Sequence, residues 1–326
     1  MPGGRGVIGA LTRLARHGTL ILPAGLMLGL AWQDLAHLMR PLLAPAIFCM
    51  LVTILTRVDM AAAMGRVRRP APLILAVVWA IVVMPPLMAL GNAWAGIGGG
   101  LAFALVVYTA SPPNFAAAGL GYLLGLDGAL CLAVILATVI AHPVIAPLAV
   151  EFLSHAPVAI PASELALRLL LLVGGALVAA ALIRRRLGRE RQQALAPAFD
   201  GLNVVFMLVF AFALMDGIPD LVAARPRFAL MLLGLVYALH IGINLATALL
   251  FAGFGRRTAL VLGYAIGGRN IAIVMAALGT AAPADAWLFF ALLQFPIYSL
   301  PLVLKPIYRR LLGDEVAAGR TNRRAP

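Results

Sequence analysis

Apolar runs of about 20 residues recur along almost the entire chain and constrain its fold more than any other feature. Short segments rich in arginine and proline separate them. Of the 326 residues, 63% are apolar and 11% are charged, and the mean hydropathy is +1.02. A water-soluble domain of this size does not have that balance, so the sequence predicts an integral protein of the lipid bilayer.

With about 20 apolar residues to a span, the chain is predicted to be an all-α membrane protein with ten transmembrane helices. A single membrane domain covers 1–326, and helices four and nine are each predicted to be broken near their middle. The predicted spans are 18–33, 36–56, 70–90, 98–124, 127–154, 163–184, 196–216, 227–252, 258–281 and 284–311.

The 25 Lys and Arg residues predict the orientation of the chain. Counted by the side of the membrane to which they lie nearer, 20 of them are on one side, and four, Arg40, Arg168, Arg225 and Arg227, are on the other; Arg269 lies within a span. The positive-inside rule then places both termini in the cytoplasm of a plasma membrane, the inner membrane of a bacterium. Because orientation accounts for the net charge of +13, no nucleic-acid partner is expected. A cleaved signal peptide is the less favoured interpretation of the first run.

An internal repeat is visible at an offset of 156 residues. The shift superposes the less common residues in topological order: Pro41 on Pro197, Tyr108 on Tyr264 and Asn114 on Asn270. Repeat one covers about 18–154 and repeat two about 163–311. Because each holds five helices, an odd number, the second crosses the membrane in the opposite sense. Two inverted five-helix repeats are typical of secondary transporters.

Predicted helix nine contains polar residues at a depth of the membrane where burying a charged side chain is energetically unfavourable. Gly267, Gly268, Arg269 and Asn270 lie in the middle of the apolar run 262–280. A charge at that depth costs at least ~2.5 kcal/mol on insertion scales and is by default a functional-site candidate. The two glycines let the backbone open, so the segment is interpreted as a broken helix that lines a site.

Helix four repeats this break in the sequence YTASPPNFAAAGLG. Ser111 and Pro113 interrupt the helix directly before Asn114. Broken helices in inverted repeats cross near the bilayer midplane and direct their ends at ligands. Asn114 and Asn270 each offer one acceptor and two donors there without a charge. Lining the substrate or ion site is favoured over a purely structural role.

The broken helices, the ten-helix repeat and the run from Asp127 to Pro143 and Pro147 resemble the bile acid:sodium symporter family. The resemblance covers nearly the whole chain, but its motifs are short. It implies a core of helices 3–5 and 8–10 that rocks against a panel of helices 1, 2, 6 and 7, with the substrate between them.

The resemblance fails at the sodium sites. Sodium-using members carry an acidic residue and a glutamine where this chain has Ala265 and Arg269, and a serine in place of Pro113. Hydroxyl positions of helix five are Cys131 and Ile135. Of the ion-binding pattern, Asn114 and Asn270 are carried over. Sodium coupling is therefore not expected at the usual sites.

Two interpretations of Arg269 stay open. Its guanidinium could be a tethered cation that replaces sodium among the opened carbonyls, or it could bind the carboxylate of an anionic substrate. The second is slightly favoured, because few acidic residues are available as partners.

A polar face on helix eight gives a weaker signal. Tyr237, His240, Asn244 and Thr247 recur at helical spacing. His240 and Asn244 could line the cavity, and His240 could carry a coupling proton. An interhelical hydrogen-bond stripe explains the same pattern at least as well.

The sequence therefore predicts an alternating-access transporter of a small, organic, anionic solute, with no cofactor and no metal site. Proton coupling stays open, and a proton-coupled carrier resembling the auxin efflux family is the alternative within this class. A membrane sensor or an intramembrane enzyme is disfavoured, because no catalytic motif or appended domain is found.

Overall fold

The structure is a computed structural model that describes residues 3–16, 18–58, 60–66, 70–115, 117–118, 127–154 and 159–321. Every regular element among these residues is helical. The helices are α1 (Gly3–Arg16), α2 (Gly18–Ala31), α3 (Gln33–Arg57), α4 (Met60–Gly65), α5 (Pro70–Trp94), α6 (Gly99–Ala110), α7 (Gly128–Leu153), α8 (Ala162–Ala194), α9 (Ala196–Leu214), α10 (Ile218–Ala224), α11 (Pro226–Leu250), α12 (Arg256–Gly267), α13 (Ala272–Leu278) and α14 (Ala284–Thr321).

Among the residues that the structure describes, seven segments are long and apolar enough to span a membrane. They are α3, α5, α7, α8, α9 together with α10, α11, and Ala284–Leu312 of α14. Large apolar side chains are exposed on their outer faces, for example Leu230 at 71% and Leu249 at 76%. Such surfaces need an apolar solvent, and the chain is an integral membrane protein.

The remaining three predicted spans are shorter helices. α2 has 14 residues, α6 and α12 have 12 each, and α13 has 7. Predicted spans four and nine are interrupted at 111–115 and 268–271 respectively, although most of the second half of span four lies outside the described residues. The ten-helix inverted repeat therefore stays a prediction.

A wide turn in α5 prepares one wall of the site. Trp79–Val83 forms a π-helical turn, followed by Pro85 and Pro86. A proline has no N–H, so carbonyls four residues earlier, within this turn, lose their helical partners. The wider turn accommodates that loss. Met84 lies at the junction and is buried.

The helices pack in two groups. In the first, α9 contacts α1, α2 and α3, and α3 also contacts α8. In the second, α6 contacts α5, α7 and α14, while α12 contacts α11 and α7. The groups meet where α7 contacts α8 and where α13 contacts α3 and α8. The interruptions after α6 and α12 therefore lie close to the junction between the groups.

Candidate functional site

Helix α6 ends at Ala110 because two prolines follow the next residue. Ser111 has φ −73° and ψ 149°, the extended conformation that a following proline favours. Its hydroxyl donates a hydrogen bond of 2.7 Å back to the Val107 carbonyl. The side chain of Ser111 thus completes the helix end, and its own carbonyl lies beyond the helix.

Glycines bring α12 unusually close to α11. A Cβ built on Gly263 would lie 2.6 Å from the backbone oxygen of Asn244, and one on Gly267 would lie 2.8 Å from the Asn244 Cβ. At Gly268 it would lie 3.1 Å from Cε1 of His240. These glycines have no positive φ, so close approach rather than backbone conformation requires them.

The two interruptions pair with each other through the backbone. The Asn114 N–H donates to the Gly268 carbonyl at 2.9 Å, and the Asn270 N–H donates to the Pro112 carbonyl at 2.8 Å. Pro113 and Arg269 lie opposite each other in this antiparallel bridge. The ladder does not use the N–H of either, which explains why a proline fits at 113.

The guanidinium of Arg269 is turned to the backbone of the other interruption. Arg269 is 0% exposed, Nη1 donates to the Ser111 carbonyl at 3.0 Å, and Nη2 lies 2.8 Å from the Met84 sulfur. Its Nε has no hydrogen-bond partner among the described residues. The side chain thus lies deep between α5 and the end of α6.

The carbonyl groups at the ends of α6 and α12 accept hydrogen bonds from different kinds of donor. Ser111 and Gly267 are 156 residues apart, the offset of the sequence repeat. The Gly267 carbonyl accepts a hydrogen bond of 2.9 Å from the buried Tyr108 hydroxyl, whereas the Ser111 carbonyl accepts from Arg269. Tyr264, the repeat mate of Tyr108, instead stacks edge-on against Tyr308 at 5.9 Å.

A cavity of about 390 Å³ opens beside this crossing, between α3 and α9 on one side and α14 on the other. Its walls are mainly apolar, and half of its polar residues are amides. The lining residues are Met50, Ile54, Arg57, Asn114, Phe115, Asp200, Asn203, Met207, Phe210, Arg269, Asn270, Ile271, Ala272, Phe290, Gln294, Ile297 and Tyr298.

An ion pair between Arg57 and Asp200 lines the more exposed end of the cavity. Their side chains are 39% and 45% exposed, in contrast to the buried crossing. Asn203, one helical turn after Asp200, accepts a hydrogen bond of 3.1 Å from Thr53 and so joins α9 to α3. The cavity thus runs from a charged, solvated end to a neutral polar floor.

The predicted site residues fall into three places. Asn114, Arg269 and Asn270 line the cavity, and both asparagines are half-buried there. A second set lies within the crossing itself and outside the lining: Ser111, Pro113, Gly267 and Gly268. His240 and Asn244 lie behind it, on the face of α11 packed against the glycines of α12.

The predicted polar stripe of α11 forms hydrogen-bond contacts with two neighbouring helices, α14 and α5. Tyr308 donates to Asn244 Oδ1 at 2.9 Å, Trp79 donates to Thr247 at 2.9 Å, and the Tyr237 hydroxyl lies 2.7 Å from Ser299. These contacts match the hydrogen-bond-stripe interpretation, and the stripe does not reach the cavity.

Two residues of the cavity are not among the site residues predicted from the sequence. Asn203 interrupts the apolar run of α9, and Gln294 interrupts that of α14, where it is 4% exposed and donates to the Phe290 carbonyl at 3.2 Å. A polar side chain inside a span was the available signal in both cases. Only the packing of α9 and α14 shows that these two face one cavity.

No group of three His, Cys, Asp or Glu residues with metal-binding geometry is found among the described residues. The positions where the resemblance implies sodium ligands are buried and apolar or cationic: Ala265, Cys131, Ile135 and Arg269 are each 0% exposed. Sodium takes hard oxygen ligands, so these side chains do not fit the ion.

Comparison by sequence identifies one family. The family described as Sodium Bile acid symporter family matches residues 44–225, from α3 to the end of α10. No curated protein matches the chain. The matched region includes Asn114 and the first interruption and ends before Arg269.

Proposed function

The chain belongs to the sodium bile acid symporter family, and from this membership we propose that it is a secondary transporter of a small organic anion. The observation that carries the proposal is the cavity between the two helix groups, with both interrupted segments at its floor. Transporter sites lie near the midplane where broken helices meet. The chemistry is binding and release, with no enzymatic step.

We assign the negative charge of the solute to Arg57, the lining arginine whose side chain is partly exposed and which pairs with Asp200. The guanidinium of Arg269 is turned to the backbone of the crossing and is not counted as a partner of the solute. A cavity of about 390 Å³ has the size of a small-molecule site, and its apolar walls suit an organic skeleton. We assign the hydrogen bonds to the solute to Asn114, Asn270 and Gln294, whose amides need no compensating charge.

The proposal includes a ten-helix inverted repeat, with a core of helices 3–5 and 8–10 and a panel of helices 1, 2, 6 and 7. Support comes from the crossing. A shift of 156 residues maps the hydrogen bond from Asn114 to Gly268 onto the one from Asn270 to Pro112. The paired bonds are thus related in the manner of a two-fold axis, as inverted repeats require.

We propose that transport is not coupled to sodium at the usual family positions, because Arg269 and its apolar neighbours do not fit that ion. Proton coupling, uniport and exchange are distinguished by experiment. By the positive-inside rule, Arg57 and Asp200 face the cytoplasm, and the protein resides in the inner membrane of a bacterium with both termini inside.

The test is a flux screen with the full chain in proteoliposomes. Labelled organic anions of graded size are offered while sodium and proton gradients are imposed separately. We expect saturable uptake of at least one anion, with a rate independent of sodium. Uptake of neutral or cationic solutes alone would contradict the proposed substrate class, and a saturable sodium requirement would contradict the coupling.

Variants of the two asparagines at the floor test whether the transported solute binds in this cavity. Asn270→Ala and Asn114→Ala are expected to reduce uptake at least about tenfold, since each removes hydrogen bonds to a buried polar group. Gln193→Ala, an exposed amide on α8, is the matched control and is expected to retain the full rate. Equal rates in the floor variants and the control would place the site elsewhere.

A further inference from the structure

Arg269 carries a buried charge without an acidic partner in the described part of the chain. The ion pairs found there, such as Arg66 with Asp127 and Arg168 with Glu164, use other and partly exposed side chains. A guanidinium withdrawn from water must gain compensating interactions, or its burial would be strongly unfavourable. The compensating negative charge therefore has to come from the backbone.

Two helix ends supply that negative charge. α6 ends at Ala110 and α12 ends at Gly267, and both ends lie at the crossing. A helix C-terminus carries about half of a negative elementary charge in its unsatisfied carbonyls, so two such ends at one place favour a cation between them. Arg269 follows one end by two residues and donates to the Ser111 carbonyl at the other.

Hydrogen bonding alone does not require an arginine here. The carbonyl of Gly267, the repeat mate of Ser111, is satisfied by the neutral hydroxyl of Tyr108. A neutral donor thus suffices at an equivalent position. The arginine differs from Tyr108 in bringing a full positive charge, which the partial negative charge of the two helix ends stabilises.

We propose that Arg269 is a resident cation of the crossing. Its guanidinium permanently neutralises the two converging helix ends, so the fold requires no dissolved cation at this place, and, if the proposed transport function holds, neither does the transport cycle. The two interpretations drawn from the sequence are thereby separated: the guanidinium serves the protein backbone, and the solute is held by the amides of the floor.

The test measures thermal stability, which does not depend on knowing the solute. The purified full chain is melted in detergent in sodium, potassium or choline chloride at equal ionic strength. We expect the melting temperature of the natural chain to be the same in all three. A saturable, sodium-specific rise would overturn the proposal, because a resident cation leaves no place for the ion.

The Arg269→Ala variant leaves an empty space where the guanidinium group lies in the natural chain. We expect its melting temperature to fall by roughly 5 °C, and millimolar guanidinium chloride to restore much of that loss. The matched control Arg227→Ala, which removes an exposed arginine, is expected to show neither effect. Failure of guanidinium to raise the melting temperature of Arg269→Ala would overturn the proposal.

Two further variants keep the test decisive if Arg269→Ala does not fold. Arg269→Lys retains the charge and is expected to be folded and more stable than Arg269→Met, which retains the length of the side chain without charge. A methionine variant as stable as the natural chain would show that the crossing needs no cation.

Flux measurements distinguish a failure of this inference from a failure of the proposed function. If melting shows the resident cation and no organic anion is carried, the transport proposal fails alone. If the natural chain carries an anion but requires sodium, the resident cation and the proposed sodium independence fail together, while the proposed transport of an organic anion stands.

Discussion

Gly263 permits a contact between α12 and α11 that no other residue allows. A Cβ at this position would lie 2.6 Å from the Asn244 carbonyl oxygen, a backbone atom that cannot rotate away, and 3.0 Å from the Ala248 Cβ. The helices would have to separate. Because α12 leads directly into the crossing, this single position also determines where Arg269 and Asn270 lie.

We therefore predict that Gly263→Ala destabilises the protein by about 1–3 kcal/mol through overpacking. Thermal and denaturant unfolding in detergent measure the change. Gly234→Ala is the matched control, because Gly234 lies in α11 with nothing within 4 Å of its added Cβ. Equal stability of the two variants would show that the close approach is not needed.

At the scale of elements, the crossing is a short piece of antiparallel backbone between two interrupted helices. Its hydrogen bonds use the N–H groups of Asn114 and Asn270, whereas Pro113 stands where the ladder requires none. The pairing joins α6 to α12, and the stripe on α11 fixes α12 from behind. The floor of the cavity is thus held by backbone geometry more than by side chains.

This arrangement predicts a small loss of stability when one proline is removed and a large loss when another is introduced. Pro113→Ala is expected to alter the free energy of unfolding by less than about 1 kcal/mol, because no ladder bond is lost. Asn270→Pro removes the donor to Pro112 and is expected to cost about 3 kcal/mol or more. Unfolding curves of the two variants are compared directly, and similar losses would exclude the proposed pairing.

At the scale of the whole molecule, the two helix groups also touch at the end remote from Arg57. Arg40 lies 4.0 Å from the centre of the Trp287 ring, and Arg168 donates to the Ala277 carbonyl at 3.0 Å. Arg40 and Arg57 both belong to α3, and 17 residues of helix separate them by about 25 Å. Contacts therefore close one end of the interface, while the charged pair lines the other.

We predict that the cavity is reached from the cytoplasm and that Trp287 closes it from outside. In a background of Cys49→Ala and Cys131→Ala, a Met207→Cys probe is expected to react with an impermeant maleimide in inverted vesicles and to be protected in intact cells. Trp287→Ala is expected to raise labelling in cells several-fold, because the contact with Arg40 is lost.

Trp94→Ala is the matched control for this labelling, because Trp94 is 90% exposed, whereas Trp287 is 8% exposed and lies against Arg40. If the Met207→Cys probe with Trp287 intact were labelled in cells and protected in inverted vesicles, the proposed orientation would be wrong.

The sequence by itself determined the membrane environment, the places of the seven long spans found in the described residues, and the interruptions that follow Ala110 and Gly267. These follow from local properties: the length of each apolar run, the prolines after Ser111 and the glycines before Arg269. The asparagine pair was also visible, because the repeat places Asn114 and Asn270 at equivalent positions.

Only the tertiary structure decided what each polar side chain touches. The direction of the Arg269 guanidinium depends on a carbonyl 158 residues away, and no local pattern encodes such a contact. Likewise, the rotation of α11 turns His240 and Asn244 away from the cavity, while the packing of α9 and α14 turns Asn203 and Gln294 into it. Helical spacing shows which residues share a face, but the neighbours that pack against that face decide what it contacts.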